Sequence, residues 1–228
     1  MSAKPIVVLG AGGLARETMW LIEAINGKSS TYRMLGYLDD DTSKHGRTLC
    51  DYPVLGGFDW IAKCGEDRLC VALGVGEPRV KYEFVQRVKD LGVEFPTLVH
   101  PNVEMSRHVE LAEGVAIGAG NVLTVNITIG AYTWLNLDCT VGHDARIGSY
   151  TQLNPSTNIS GNATVGDGVE FGTGAIVIPG VTVGDRAVIG AAACVVRDVP
   201  PNVTVVGLPA KPIKQLPPWR KRRLRAPQ

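Results

Sequence analysis

His143 follows Gly142 and the aliphatic Val141, and Gly161 stands 18 residues further on. An imidazole titrates near pH 6.5, so it can take a proton at neutral pH. Glycine carries no side chain over its amide, so the N–H at 161 can reach a ligand. A bare N–H of that kind can hold a developing oxyanion. A base beside an oxyanion donor suits acyl transfer from a thioester. Asp144, the next residue, can hold the imidazole in one tautomer, as the carboxylate of a catalytic triad does. A lone surface histidine is ordinarily only solvated; the glycine one coil away is what argues otherwise.

A second constellation lies near the start of the chain. Gly10-x-Gly12-x-x-Ala15 follows an apolar strand and opens a helix. Glycines there let the backbone approach a phosphate at the positive helix end. The motif equally suits a nicotinamide dinucleotide, and Asp39 after the next strand could grip a ribose. A solvated turn is the plain alternative for Asp39 and Asp40. No separate dehydrogenase substrate domain follows.

The elements that must position these residues fall into two kinds. Up to about residue 100 the pattern alternates. Strands are expected over Pro5–Leu9, Met34–Leu38, Leu69–Leu73 and Val93–Leu98. Helices are expected from the Gly motif to Asn26 and over Pro78–Leu91, with Pro at the first turn and Gly92 beyond the end. That alternation is a small parallel α/β, Rossmann-like domain. From Met105 to Val195 a large apolar residue recurs every six positions, sixteen times without an insertion. Two residues before most of these stands a smaller one, such as Val115, Cys139 or Ala163, with Asn121 the polar exception. Glycine follows the large residue in eight cases, Gly118 to Gly190, and is expected to permit the turns. A six-residue period fits neither an α-helix nor a hairpin ladder. It fits a parallel β-helix in which three hexads close one triangular coil, so residues 18 apart stack about 4.8 Å apart. The expected division is 1–100 nucleotide-binding, 101–215 β-helix and 216–228 a basic tail.

Composition excludes several classes. The formal net charge is +1, which gives no general reason to expect nucleic acid or a membrane surface. The five cysteines are scattered without a CxxC pair, against a zinc ribbon or a disulfide framework, and read as small buried residues in a reducing compartment. No apolar run approaches the roughly 20 residues needed to span a bilayer. A cytoplasmic protein is expected. The tail carries Arg220, Lys221, Arg222, Arg223 and Arg225 and reads as a solvated terminus, or as a contact for coenzyme A phosphates.

Asn136-Leu137-Asp138-Cys139-Thr140-Val141-Gly142-His143-Asp144 resembles the nucleotide-sugar and sialic-acid acetyltransferases of the NeuD/PglD type, as does Asn158-Ile159-Ser160-Gly161-Asn162. The likeness extends to the Gly-Ala-Gly-Gly motif and to Gly36-Tyr37-Leu38-Asp39-Asp40. It implies a left-handed β-helix, acetyl-CoA as co-substrate with no metal, and a homotrimer with the site between two subunits. It implies His143 as general base, Asp144 as its orienting acid, Asn136 in the site and the Gly161 N–H on the thioester carbonyl. It places the nucleotide of a UDP-sugar at Gly12, Gly13, Asp39 and Asp40, with Arg79 near the phosphates. Members from one amino-sugar pathway carry a second site histidine nine residues after the base; here that position is Gln152. The implied reaction is N-acetylation of an amino sugar. O-acetylation of a sugar or sialic acid is the enzymatic alternative, and a non-catalytic trimeric scaffold the other. A zinc-dependent carbonic anhydrase needs three converging histidines, and only His143 is well placed. His45, His100 and His108 read as loop, junction and solvated residues. Trp134, Tyr132 and Tyr150 read as packing between subunits.

Overall fold

The structure is a computed structural model that describes residues 3–66 and 68–219. The basic residues from Arg220 onward lie outside the described residues.

The first half is an α/β unit. Strand β1 (Lys4–Leu9) leads through the glycine loop into helix α1 (Gly13–Asn26). Strand β2 (Tyr32–Leu38) follows, then a hairpin of β3 (Thr48–Leu49) and β4 (Tyr52–Gly56). Strand β5 (Cys70–Leu73) leads to helix α2 (Pro78–Val88). The sheet order is β3-β4-β2-β1-β5, parallel except for the hairpin pair. β1 is buried on both faces over Ile6–Leu9, which explains its unbroken apolar run. Helix α1 lies so close to the sheet that a Cβ at Gly74 would sit 2.5 Å from the Cβ of Ala15. One element was unforeseen and one expectation needs correction. The hairpin was not foreseen. The strand expected over Val93–Leu98 does not form: Glu94 makes one bridge to Cys70, and Leu98–Val99 joins the β-helix instead. Pro96 lies between them and has no N–H for a ladder.

The second half is a parallel β-helix. Strands 18 residues apart pair in register, as in Trp134↔Gln152, Thr140↔Asn158 and Arg146↔Thr164. Three ladders make three faces. The first face runs from Leu98–Val99 through Trp134–Leu135 and Gln152–Leu153. The second holds Thr140–Val141, and the third Arg146–Ile147. From Leu111 onward the repeating large residues, with the small residues before them, fill or line one continuous core, whereas Met105 in the first coil is exposed. Fully burying each large one contributes about 1.5–3 kcal/mol. The stack closes on Val203–Val206, which an antiparallel strand, Lys211–Gln215, covers.

The glycines of the repeat serve a purpose different from the expected one. None of the eight has positive φ. The left-handed residues come two positions after the place these glycines occupy, at Gly120, Asn126, Tyr132, Asp138, Asp144 and every sixth residue on to Ala192. The glycines are needed because adjacent coils touch. A Cβ at Gly142 would lie 2.5 Å from the Gly161 nitrogen, and one at Gly130 would lie 2.5 Å from that of Ser149.

The α/β half packs on the first face and on two of the three corners. Ala116 and Trp134 join its core cluster. At one corner Tyr132 stacks on Tyr150 at 5.0 Å, with Phe95 and Tyr82 edge-on against them. The aromatics expected between subunits therefore pack within the chain. Trp219 returns to this cluster, 6.2 Å from Tyr82.

Candidate active site

His143 occupies the corner that the α/β half leaves uncovered, between the second and third faces. Its side chain is 59% exposed. The next residue, Asp144, takes the left-handed conformation at φ 61°. That turn brings its Oδ2 to 2.7 Å from His143 Nδ1. Asn126, one coil earlier, donates to Asp144 Oδ1 at 3.3 Å and steadies the carboxylate. The hydrogen bond from His143, followed by that from Asn126, holds the Asp144 carboxyl below its ordinary pKa. With Nδ1 occupied, Nε2 is the ring nitrogen left for a ligand.

Nε2 lies over Gly161. A Cβ built there would be 2.6 Å from Nε2 and 2.8 Å from Cε1, so only glycine fits beneath the ring. The Gly161 N–H has no acceptor among the described residues. At another corner the corresponding amides are capped: Asp167 accepts from Ser149 N at 2.7 Å, and Asp185 from Asp167 N at 3.0 Å. Pro179 stands one coil beyond Gly161 and brings no acceptor side chain. An imidazole with a free Nε2 and an uncapped N–H donor thus share one corner.

Asn136 sits elsewhere. It is in the same coil as His143 but at the opposite edge of the second face, buried against the α/β half. Its Oδ1 accepts from Leu137 N at 2.8 Å, and its Nδ2 lies 3.5 Å from Glu17 Oε2 on α1. The buried Asn121 holds the backbone there, donating to Asn136 O at 2.6 Å. One chain does not bring Asn136 and His143 together. Gln152 is nearly fully buried on the first face. Its Nε2 donates to Asn154 Oδ1 at 3.1 Å, its Oε1 has no partner among the described residues, and a Cβ at Gly76 would lie 3.7 Å from that oxygen.

The glycine loop is open on its outer side. Among the described residues, a Cβ at Gly12 or Gly13 would meet nothing within 4 Å, and no side chain caps the start of α1. Asp39 braces this loop. Its Oδ2 accepts from Ala11 N at 2.9 Å and from Lys44 Nζ at 2.8 Å, and its Oδ1 from Asp41 N at 2.9 Å. Partial burial pushes the Asp39 carboxyl up, but the bonds from Lys44, Asp41 and Ala11 outweigh it and hold the pKa below its ordinary value. Asp40 pairs with Arg87 and accepts from Phe58 N at 3.2 Å. Both carboxylates are therefore engaged within the chain. Arg79 is tied to Glu83 at 3.0 Å along α2. Lys44 is the cation that the structure places on Asp39, which in turn holds the loop, and sequence reasoning missed it. Its signal was its position five residues after Asp39. His45 bonds the Asp39 carbonyl at 2.7 Å, and His100 packs 5.5 Å from Trp20.

Among the described residues no group of three or more His, Cys, Asp or Glu is placed to hold a metal. No helix among them is long and apolar enough to cross a membrane. Of the five cysteines Cys70 and Cys139 are buried, whereas Cys50 is exposed, against expectation.

A left-handed β-helix carrying a histidine–carboxylate pair over an open amide, joined to an α/β unit, defines an acyl-CoA-dependent acyltransferase. Residues 5–88 match the PglD N-terminal domain. The chain is similar to PerB from Caulobacter crescentus, solved with CoA and GDP-perosamine, at 29% identity, 93% and 99% coverage of the two chains and a TM-score of 0.85. It is similar to WeeI from Acinetobacter baumannii AYE at 30% identity, 92% and 100% coverage and a TM-score of 0.84. It is also similar to the acetyltransferase domain of PglB from Neisseria gonorrhoeae FA1090, solved with acetyl coenzyme A, at 26% identity, 93% and 100% coverage and a TM-score of 0.69. No curated protein sequence matches it. The chain belongs to the PglD-type family of hexapeptide-repeat sugar acetyltransferases.

Proposed function

We propose that this protein transfers the acetyl group of acetyl-CoA to the amino group of a nucleotide-linked sugar, with His143 as general base. The observation that carries the reading is the placement of His143 Nε2 over the uncapped amide of Gly161. The sugar amine, after losing one proton to solvent, attacks the thioester carbonyl. Nε2 takes a second proton from the nitrogen as the C–N bond forms. The Gly161 N–H donates to the oxyanion. The C–S bond then breaks, and the imidazolium returns its proton to the departing thiolate. The sum is R–NH3+ plus acetyl-CoA giving R–NH–acetyl, CoA–SH and one proton. Asp144 keeps the imidazole in the tautomer with Nε2 free.

The open amides of Gly12 and Gly13 receive the diphosphate. Lys44 supplies the positive charge beside them, and Asp39 acts by bracing the loop. Gln152 supports the seam from inside rather than touching the substrate. PerB was solved with GDP-perosamine, so a guanine nucleotide stands beside the uridine one as the carrier.

The site is completed in a homotrimer. His143 lies at the one corner that its own α/β half does not reach, while Asn136 lies at a corner that it does. A neighbouring copy brings its glycine loop, Glu17 and Asn136 to face this chain's His143. The cytoplasm, where acetyl-CoA and nucleotide sugars are made, is the compartment that fits.

A thiol-release assay tests the reading. UDP- and GDP-linked sugars carrying an amine or a hydroxyl are offered with acetyl-CoA. Turnover is expected with an amino sugar, and His143→Ala is expected to lose about 10²-fold or more in kcat. Equal turnover by the variant refutes the base. A stable monomer in sedimentation refutes the shared site.

A further inference from the structure

We propose that Glu17 receives the cationic amino group of the sugar and thereby selects amino sugars over hydroxyl sugars. The inference rests on the reading above that the acceptor is a nucleotide-linked sugar.

Glu17 lies on the same face of α1 as Gly13, one turn further along. Helical side chains lean toward the N-terminus, so its carboxylate reaches back toward the open end of the helix. A diphosphate held at Gly12 and Gly13 carries its sugar into this space. On the other side stands Asn136, whose Nδ2 is 3.5 Å from Glu17 Oε2. Asn136 is fixed in place: its Oδ1 is taken by Leu137 N, and its carbonyl by Asn121. Glu17 therefore sits at the seam where α1 meets the corner of the β-helix.

Its charge is unbalanced. Among the described residues no Lys, Arg or His forms an ion pair with Glu17, whereas Asp39 and Asp41 share Lys44, and Asp40 has Arg87. A lone carboxylate beside an anion-binding loop repels the diphosphate. A ligand that brings its own cation removes that penalty. The ammonium of an amino sugar offers three donors and a positive charge to an acceptor-only group. A hydroxyl at the same carbon offers one donor and no charge. Glu17 thus favours the amine in binding. The same carboxylate makes the ammonium hold its proton more tightly, so the gain falls on KM and not on kcat.

The test compares the wild-type protein with Glu17→Gln, an exposed and nearly isosteric change. Steady-state kinetics are run on the nucleotide-linked amino sugar. Calorimetry measures binding of that sugar, of its hydroxyl counterpart and of the free nucleoside diphosphate. The expected result is a KM for the amino sugar raised about tenfold or more, with kcat unchanged or higher. The preference for amine over hydroxyl collapses, and the free nucleoside diphosphate binds no more weakly. The inference is overturned if the preference survives in the variant, or if all three ligands weaken equally. Turnover by the wild-type protein separates the two ideas. No turnover with any amino sugar defeats the function proposed above. Turnover with an unchanged preference in the variant defeats Glu17 alone.

Discussion

The imidazole of His143 fills the space that a side chain at Gly161 would need, with Nε2 2.6 Å from the position of its Cβ. The ring and the bare amide are a matched pair, held by the 18-residue stacking of adjacent coils.

Gly161→Ala is therefore expected to push the ring aside while leaving the coil intact, because Gly161 does not use positive φ. Removing an oxyanion donor from register typically costs about 10²–10³ in kcat. A fall of that order, with the midpoint of thermal unfolding nearly unchanged, is the expected outcome. Undiminished kcat would separate the amide from catalysis.

Lys44→Ala should act at the other end of the ligand. It removes the cation from beside Ala11 and leaves Asp39 holding the loop alone. The KM for the nucleotide sugar is expected to rise roughly tenfold, moderated by solvent screening of a partly exposed charge. The KM for acetyl-CoA and kcat should stay as they are. Rising ionic strength should weaken the wild-type protein more than the variant.

Lys81 bears on stability. It is 1% exposed, and its Nζ donates to the carbonyl of Thr151 at 3.1 Å across the seam. Burial drives its pKa down from 10.5 to about 7, opposed in part by Glu170. The unfolded chain keeps this proton up to about 10.5, while the folded protein sheds it above about 7. Between those values the unfolded state binds more protons, so stability rises with pH. Below about 7 both states are charged, and the cost of burying the ammonium is at its full size. Lys81→Met should flatten this slope in urea denaturation from pH 6 to 10. It should also stabilise the protein most at the acid end of that range, by up to about 4 kcal/mol. Burial and Glu77 raise the Glu170 carboxyl, opposed by Lys81; burial also raises the Cys70 and Cys139 thiols, a contribution that wild type and variant share, so the difference between their slopes reports on Lys81.

Much of the fold was legible because a β-helix is built from a local rule applied repeatedly. One inward aliphatic per hexad, with a smaller residue two positions before it, is a pattern that no helix or hairpin needs. The same rule placed Gly161 beneath His143, since coil stacking turns a separation of 18 residues into a contact. It did not give the reason for the glycines. Whether glycine serves φ or close approach depends on how near the next coil lies. The α/β half was legible where periodicity was strong, in β1, α1 and α2. It was not legible at the short hairpin or at Val93–Leu98, where tertiary pairing decided.

The sequence by itself determined the repeat, the histidine with its neighbouring acid, and the glycine loop, because each depends on residues at fixed spacing. Tertiary structure alone decided which corner each group occupies. It buried Gln152, tied Arg79 to Glu83 and spent both aspartates on the chain's own backbone and cations. It brought Lys44 to the loop and set Glu17 beside Asn136. These outcomes follow from how the two halves dock, a long-range packing of seam residues that no local spacing encodes.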